Sequence, residues 1–579
     1  MRIALAILAG LSLAGACLCA AQGRTIDGSA PDVPAKIDEP PAVPTRFSFT
    51  FSMPYGQADE FPREREEFDR MLGLLKSAGY NTVHCPYTDW RHELFKKHKM
   101  KMMVDVLAWK PPVEADIRDP AQRPKVKQMC LKIKGSDAIW GYNLWNERLD
   151  WCGNFEFLDA WIRMLRTWDS THPVWVGTYR YLYSEHFPTN PGVHAWYDYH
   201  WARGMGWNLK MLNFYRGIAE KRKGTMGKWL LVHDYNRNLY TLNVSIAHGV
   251  KTVLWFISGP YAPREPDKTK RWNEDHHLVR IGRHMQPLYG LIGQMGLPTA
   301  VYSTPTARAP DNKAKTPGLP ADTTAFPENH WLQIKQGEVI CGFFKLPDSS
   351  EVVYIANHNA YAWQGVVLDI RQDKRSPLVL SEFDRPKGQW ARRGAVSVFN
   401  VPIPPADAVV LRFEKTKPGA EGTKIIGEPP VEWDPAEHFA RIGRLLKEKG
   451  LVADQGDRPY AVYSTPTART ADNKDKQPGL PADAKPFPDD FWLEVQQGEA
   501  LCGLFKLKDG ADVVCLANPN RYAWQGGLIV PQQEKDHPTM IWELKQDSGN
   551  WGELGTWGDV NFPMAPGGSA VFKFRRTGP

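Results

Sequence analysis

The residues best suited to chemistry lie in Gly141-Tyr-Asn-Leu-Trp-Asn-Glu147. The apolar run Ala138-Ile139-Trp140 leads into this stretch, which ends on an amide beside a carboxylic acid, Asn146-Glu147. The pattern reads as a buried strand that stops on a proton donor next to a group able to hold a hydroxyl. A second acid, Asp234, closes the run Leu230-Leu-Val-His-Asp.

Other apolar runs also end on aromatic and titratable residues. These are Tyr55, His84 (with Asp89-Trp90 after it), Trp109-Lys110, Tyr179-Arg180, Tyr199-His200-Trp201, His233 and Trp255 to Ser258. Sugar rings stack their apolar faces on Trp and Tyr, while amides and carboxylates take the hydroxyls. Such a set suits a carbohydrate better than a flat or apolar ligand.

The elements that must position these residues alternate along the chain. β-type runs fall at 47–53, 81–86, 101–107, 138–146, 173–179, 193–200, 228–234 and 251–258. Helical patterns intervene at 63–78, 155–168 and 207–222. Eight β/α units in roughly 250 residues are the size of a TIM barrel. Runs that are apolar on both faces suit a parallel sheet covered by helices. A doubly wound α/β sheet is the alternative, but no Gly-rich phosphate loop follows the first strand. The predicted fold class is therefore α/β, a TIM (β/α)8 barrel with all-β domains after it.

This pattern resembles the large clan of retaining glycoside hydrolases with TIM barrels. The resemblance covers roughly residues 47–296 and rests on Asn146-Glu147 ending the fourth strand, an acid ending the seventh and Trp255 on the eighth. It implies that Glu147 is the general acid/base and that Asn146 holds the sugar 2-hydroxyl. It also implies that Asp234 is the nucleophile, oriented by Tyr199 or His200. His84, Trp109, Trp201, His233 and Trp255 complete the implied substrate site, and no metal or organic cofactor is called for. The chain departs from the clan in having Asp, one methylene shorter, where the seventh strand carries Glu. The usual Arg near the second strand's end is replaced by His84.

Plainer readings stand beside these. Glu147 is also placed to pair with Arg148, and Asp234 to cap a helix over 239–248. His84, His200 and His233 also fit hydrogen-bonded barrel histidines, and Trp109, Trp201 and Trp255 fit core positions. On the functional level the alternative is a barrel that binds carbohydrate, or serves as a cell-surface scaffold, without cutting.

The remainder repeats itself. Ala300 to Asp322 and Ala461 to Asp483 match without a gap at an offset of 161 residues, and Trp331, Cys341, Asn357, Trp363 and Trp390 recur at the same offset. Each copy carries short β-runs, 336–345 then 351–357 and 497–507 then 512–517, which predict two β-sandwiches. The repeat begins upstream at a helix. Its first copy, 275–295, falls where the eighth barrel helix belongs; the second, 435–450, is expected to pack on a sandwich or outside the barrel.

The expected organisation is a signal peptide over 1–21, a Pro-rich linker over 22–46 and the barrel over 47–297. Sandwiches follow over 298–417 and 459–579, with a helix-bearing linker over 418–458 between them. Met1-Arg2 and the apolar run to Leu18 read as a secretory signal, implying a secreted or periplasmic protein. Ala14-Gly15-Ala16-Cys17 also resembles a lipoprotein box, the alternative being a lipid anchor at Cys17. No later segment is long and apolar enough to span a membrane. A net charge of +7 is spread along the chain with no basic block or nucleic-acid motif, so no nucleic-acid partner is expected. The cysteines beyond the leader have no metal spacing and read as buried free thiols, with a Cys502–Cys515 bridge as an option. Asp311-Asn-Lys and Asp472-Asn-Lys lack an alternating acidic series and read as solvated turns. Asn243-Val-Ser fits a glycosylation acceptor in a eukaryotic host.

Overall fold

The computed structural model describes residues 37, 47–52, 64–106, 122–145, 155–178, 188–197, 205–231, 234–256, 277–304, 325–360, 363–373, 375–416, 434–449, 451, 458–465, 485–520, 524–532, 538–545, 549–556 and 558–576. Eight parallel strands close into a TIM barrel: β1 (Ser48–Ser52), β2 (Thr82–Pro86), β3 (Lys101–Asp105), β4 (Ile139–Trp145), β5 (Val174–Thr178), β6 (Gly192–Tyr197), β7 (Thr225–Leu231) and β8 (Val250–Phe256). Closure is direct, because β1 pairs in parallel with both β2 and β8. An open doubly wound sheet is thereby excluded.

The helices around the barrel are α1 (Arg65–Ser77), α2 (Asp89–His98), α3 (Gln122–Ile133), α4 (Phe155–Trp168), α5 (Met205–Lys221), α6 (Tyr235–Ala247), α7 (His277–Met285) and α8 (Tyr289–Gln294). Their apolar spacing decides which face is covered: in α1, Phe68, Leu72 and Leu75 are buried. Alternate strand residues Phe49, Val83, Met102, Val104 and Tyr142 meet these helices in one large core. The single helix expected over 275–295 is interrupted at Pro287, which lies in a short 3-10 turn between α7 and α8. The seventh strand begins at Thr225, three residues before the expected start, and ends at Leu231.

Two β-sandwiches follow with the same strand order. The larger sheet of the first runs Gln389–Gly394, Leu378–Asp384, Ala408–Lys415, Glu351–Asn357, Val339–Lys345, Ala300–Ser303; three further strands form the facing sheet. The second repeats this order and adds the two-residue strand Lys485–Pro486 at one edge. Apolar residues between the sheets, such as Leu332, Phe343 and Leu368 in the first and Leu493, Leu504 and Phe562 in the second, form separate cores.

The outer faces of the two larger sheets are covered differently. In the first sandwich, the barrel helix α6 does the covering: Tyr354 Oη donates to Asn243 Oδ1 (2.5 Å), and Asn243 Nδ2 donates to Ala406 O (2.9 Å). Asn243 is fully buried, so the glycosylation motif read there is closed off. In the second, α9 (Pro435–Glu448) lays Phe439, Ile442 and Leu446 on the sheet around Cys515, the repeat partner of Tyr354. Cys502 and Cys515 are both free and buried. Cys515 is paired in register with Gly503, and the two thiols lie in different cores, which rules out a bridge between them.

Candidate active site

The barrel lumen is filled by rings. Trp140 of β4, Trp175 of β5 and Trp229 of β7 cluster with Met103, Val193, Ala195 and Leu254. The rings meet edge to face, with centroids 6.0 Å apart for Trp140–Trp175 and 6.4 Å for Trp175–Trp229. Glycine makes room for them: a Cβ on Gly227 would stand 2.1 Å from Trp175, and one on Gly177 would stand 2.8 Å from Trp229 Nε1. Opposite them the lumen is polar, where Ser48 Oγ donates to Thr82 Oγ1 at 2.7 Å.

Toward the C-terminal ends of the strands, where TIM barrels carry their chemistry, three polar side chains converge. Asn143 Nδ2 of β4 donates to His84 Nε2 of β2 at 2.9 Å. Asp105 Oδ1, at the end of β3, stands 3.6 Å from the same nitrogen. The His84 and Asp105 side chains are only 2% and 8% exposed. Residues on alternate strands share a layer in such barrels, which explains how His84 reaches across β3 to Asn143. The Trp229 ring meets His84 edge-on at 6.2 Å and closes the cluster from below.

Most residues picked from the sequence fall outside the described residues: Asn146, Glu147, Trp109, Tyr199, His200, Trp201 and His233. Their chain positions relative to the strands are nonetheless fixed. Asn146 and Glu147 are the first two residues past β4, and Tyr199 to Trp201 follow β6. His84 sits in the lumen, in a hydrogen-bonded cluster. Trp255 does not face the lumen. It is fully buried in the layer between barrel and helices, edge-on to Phe49 at 5.8 Å, while its neighbour Leu254 points inward.

Asp234 lies past the end of β7 as the N-cap of α6. Its Oδ1 accepts from Arg237 N at 3.0 Å, its Oδ2 lies 3.2 Å from Arg237 Nε, and its side chain is half exposed. The plainer reading of this residue therefore describes its surroundings. Asp105 and Asn143 were missed in the sequence. The signal was present in the alternation Lys101, Met103, Asp105 on one face of β3.

The strongly perturbed groups are structural and lie outside the lumen. Asp169 lies beyond α4, at the barrel's N-terminal end. Burial alone would raise its pKa, but hydrogen bonds from His172, Thr171 and Tyr142 hold it at about 2. A cleft of about 520 Å³ between α7 and the first sandwich is lined by His284, Glu382, Arg385, Arg393 and Asp407. Its charges pair with one another: Arg385 with Asp407 at 2.7 Å and Arg393 with Glu382 at 2.6 Å. Among the described residues, no three His, Cys, Asp or Glu side chains converge as metal ligands, and no helix is long and apolar enough to cross a membrane.

No family model and no curated protein matches the chain. Solved structures similar to it include an alpha-amylase from Geobacillus thermoleovorans, at 10% identity and a TM-score of 0.40 over 65% of this chain and 100% of that one. A putative alpha-galactosidase from Bacteroides fragilis is similar at 10% identity and a TM-score of 0.40, over 64% and 80%. An isomalto-dextranase from Arthrobacter globiformis is similar at 10% identity and a TM-score of 0.34, over 93% and 97%. Likeness at this level says nothing of the reaction, and the fold rests on the strand register given above.

Proposed function

We propose that the protein is a glycoside hydrolase acting on an oligo- or polysaccharide, with Glu147 as proton donor and Asn146 holding a sugar hydroxyl. One observation carries the reading: Asn146 and Glu147 directly follow β4 in a closed parallel barrel, at the end where such barrels place catalytic groups. The lumen below that end already holds a buried, hydrogen-bonded polar cluster rather than apolar packing alone. The basic and apolar N-terminal stretch supports export, as a secreted, periplasmic or lipid-anchored protein acting on an external glycan.

In the retaining form of this chemistry, Asp234 attacks the anomeric carbon and Glu147 then activates water. That role requires Asp234 to leave the cap it makes on α6. The same observation favours a second reading, a barrel that binds sugar without cutting it. Hydrolysis of a broad panel of aryl glycosides and polysaccharides, by wild type and Glu147→Gln in parallel, separates the two. Turnover that collapses in the variant supports the hydrolase. Glycan binding with no turnover in the wild type supports the binder.

A further inference from the structure

Among the described residues, the eight barrel strands contain one carboxylate, Asp105. We propose that Asp105 is the second carboxylate of the reaction, a general base on the attacking water, and that hydrolysis proceeds with inversion. The inference rests on the glycosidase reading above and replaces Asp234 in it.

Four observations carry it. Asp105 is the last residue of β3, and Met103, two residues earlier on the same face, belongs to the lumen cluster. The carboxyl therefore faces the lumen at its catalytic end. Its side chain is 8% exposed, and a carboxylate there carries a desolvation penalty that an apolar residue would avoid. Packing alone gives no reason for an acid at that position. The surroundings are fixed, with His84 at 3.6 Å and His84 tied in turn to Asn143 at 2.9 Å. Finally, Asp105 is in register with Asn143 on the neighbouring strand, and Glu147 follows four residues later on that strand's chain. Asp234, by contrast, is half exposed and engaged by Arg237.

The base role sets the stereochemistry, because water that attacks directly, with no covalent intermediate, inverts the anomeric carbon. In the step, the water oxygen bonds to the anomeric carbon as the glycosidic C–O bond breaks. The electron pair of that bond goes to the leaving oxygen, which takes the proton of Glu147. Asp105 takes the proton released by the water. Exchange with solvent returns both carboxyls to their starting states.

The test uses the full chain and the aryl glycoside it turns over fastest. Asp105→Asn is expected to lower kcat by about 10²- to 10⁴-fold with KM little changed. Proton NMR of the first sugar released by the wild type is expected to show the inverted anomer, a result that does not depend on how any variant folds. Retention of configuration overturns the general-base role. A folded Asp105→Asn with kcat within a few fold of wild type, alongside an inactive Glu147→Gln, overturns Asp105 while leaving the hydrolase reading intact. Absence of wild-type turnover on every substrate overturns both.

Discussion

Asp407 joins the barrel to the first sandwich, and its replacement by Asn has a calculable effect. Its Oδ1 accepts from Arg385 Nη1 at 2.7 Å, and its Oδ2 lies 3.0 Å from His284 Nε2 of α7. Burial would raise its pKa, but the Arg385 guanidinium and His284 hold it at about 2, against an ordinary 3.8. That depression corresponds to roughly 2 kcal/mol of stability at neutral pH. Asp407→Asn also leaves the buried Arg385 without its counter-charge, a loss whose upper range is about 3–5 kcal/mol. The expected destabilisation is about 2–4 kcal/mol, or a fall in Tm of roughly 5–10 °C for a domain of this size. The sign with pH follows from the depressed pKa. The contribution is complete above the unfolded value of 3.8 and disappears as pH falls through about 2. Thermal unfolding of wild type and variant from pH 7 to pH 2 should give a gap that is full at neutral pH and closes between pH 4 and pH 2. A gap of under about 0.5 kcal/mol at neutral pH, or one that does not change with pH, refutes the reasoning.

Three further outcomes follow from the packing. Gly227→Ala places a methyl 2.1 Å from the Trp175 ring inside a lumen shut by Trp140 and Trp229; overpacking of this kind costs about 1–3 kcal/mol, seen as a lower Tm and altered near-UV circular dichroism. Asp234→Ala removes the N-cap of α6 and should cost about 1 kcal/mol, whereas Asp234→Asn, still able to cap, should keep its Tm. Cys85, Cys130, Cys341, Cys502 and Cys515 are buried free thiols, and burial pushes Cys85 and Cys130 up to about 12; peptide mass spectrometry should find all five unlabelled by iodoacetamide at pH 8 until the protein is unfolded.

The barrel was legible because most of its strands are apolar on both faces and helical spacing punctuates them. The same property hid the phase of each strand. In β8, Leu254 and Trp255 are equally apolar, so nothing in the sequence says that Leu254 points inward and Trp255 outward. The start of β7 was obscured by Thr225 and Gly227, residues that weaken an apolar run but are needed where Trp175 crosses the lumen. Asp105 was bypassed because the third strand was read to 107, two residues past its end, and Asn143 because its contact with His84 crosses β3, which spacing along one strand cannot reveal. The repeat was visible at its offset of 161 residues, and the matching strand orders of the two sandwiches follow it. What covers each copy was not visible. It depends on Tyr354 meeting the barrel helix α6 where Cys515 meets α9.

The most direct test of Glu147 as proton donor compares two aryl glycosides of one sugar, a dinitrophenyl glycoside and a phenyl glycoside, with wild type and Glu147→Ala. The poorer leaving group needs the proton and the better one does not. A loss of kcat that is far greater on the phenyl glycoside is the predicted result. An equal loss on both, or none on either, contradicts proton donation by Glu147.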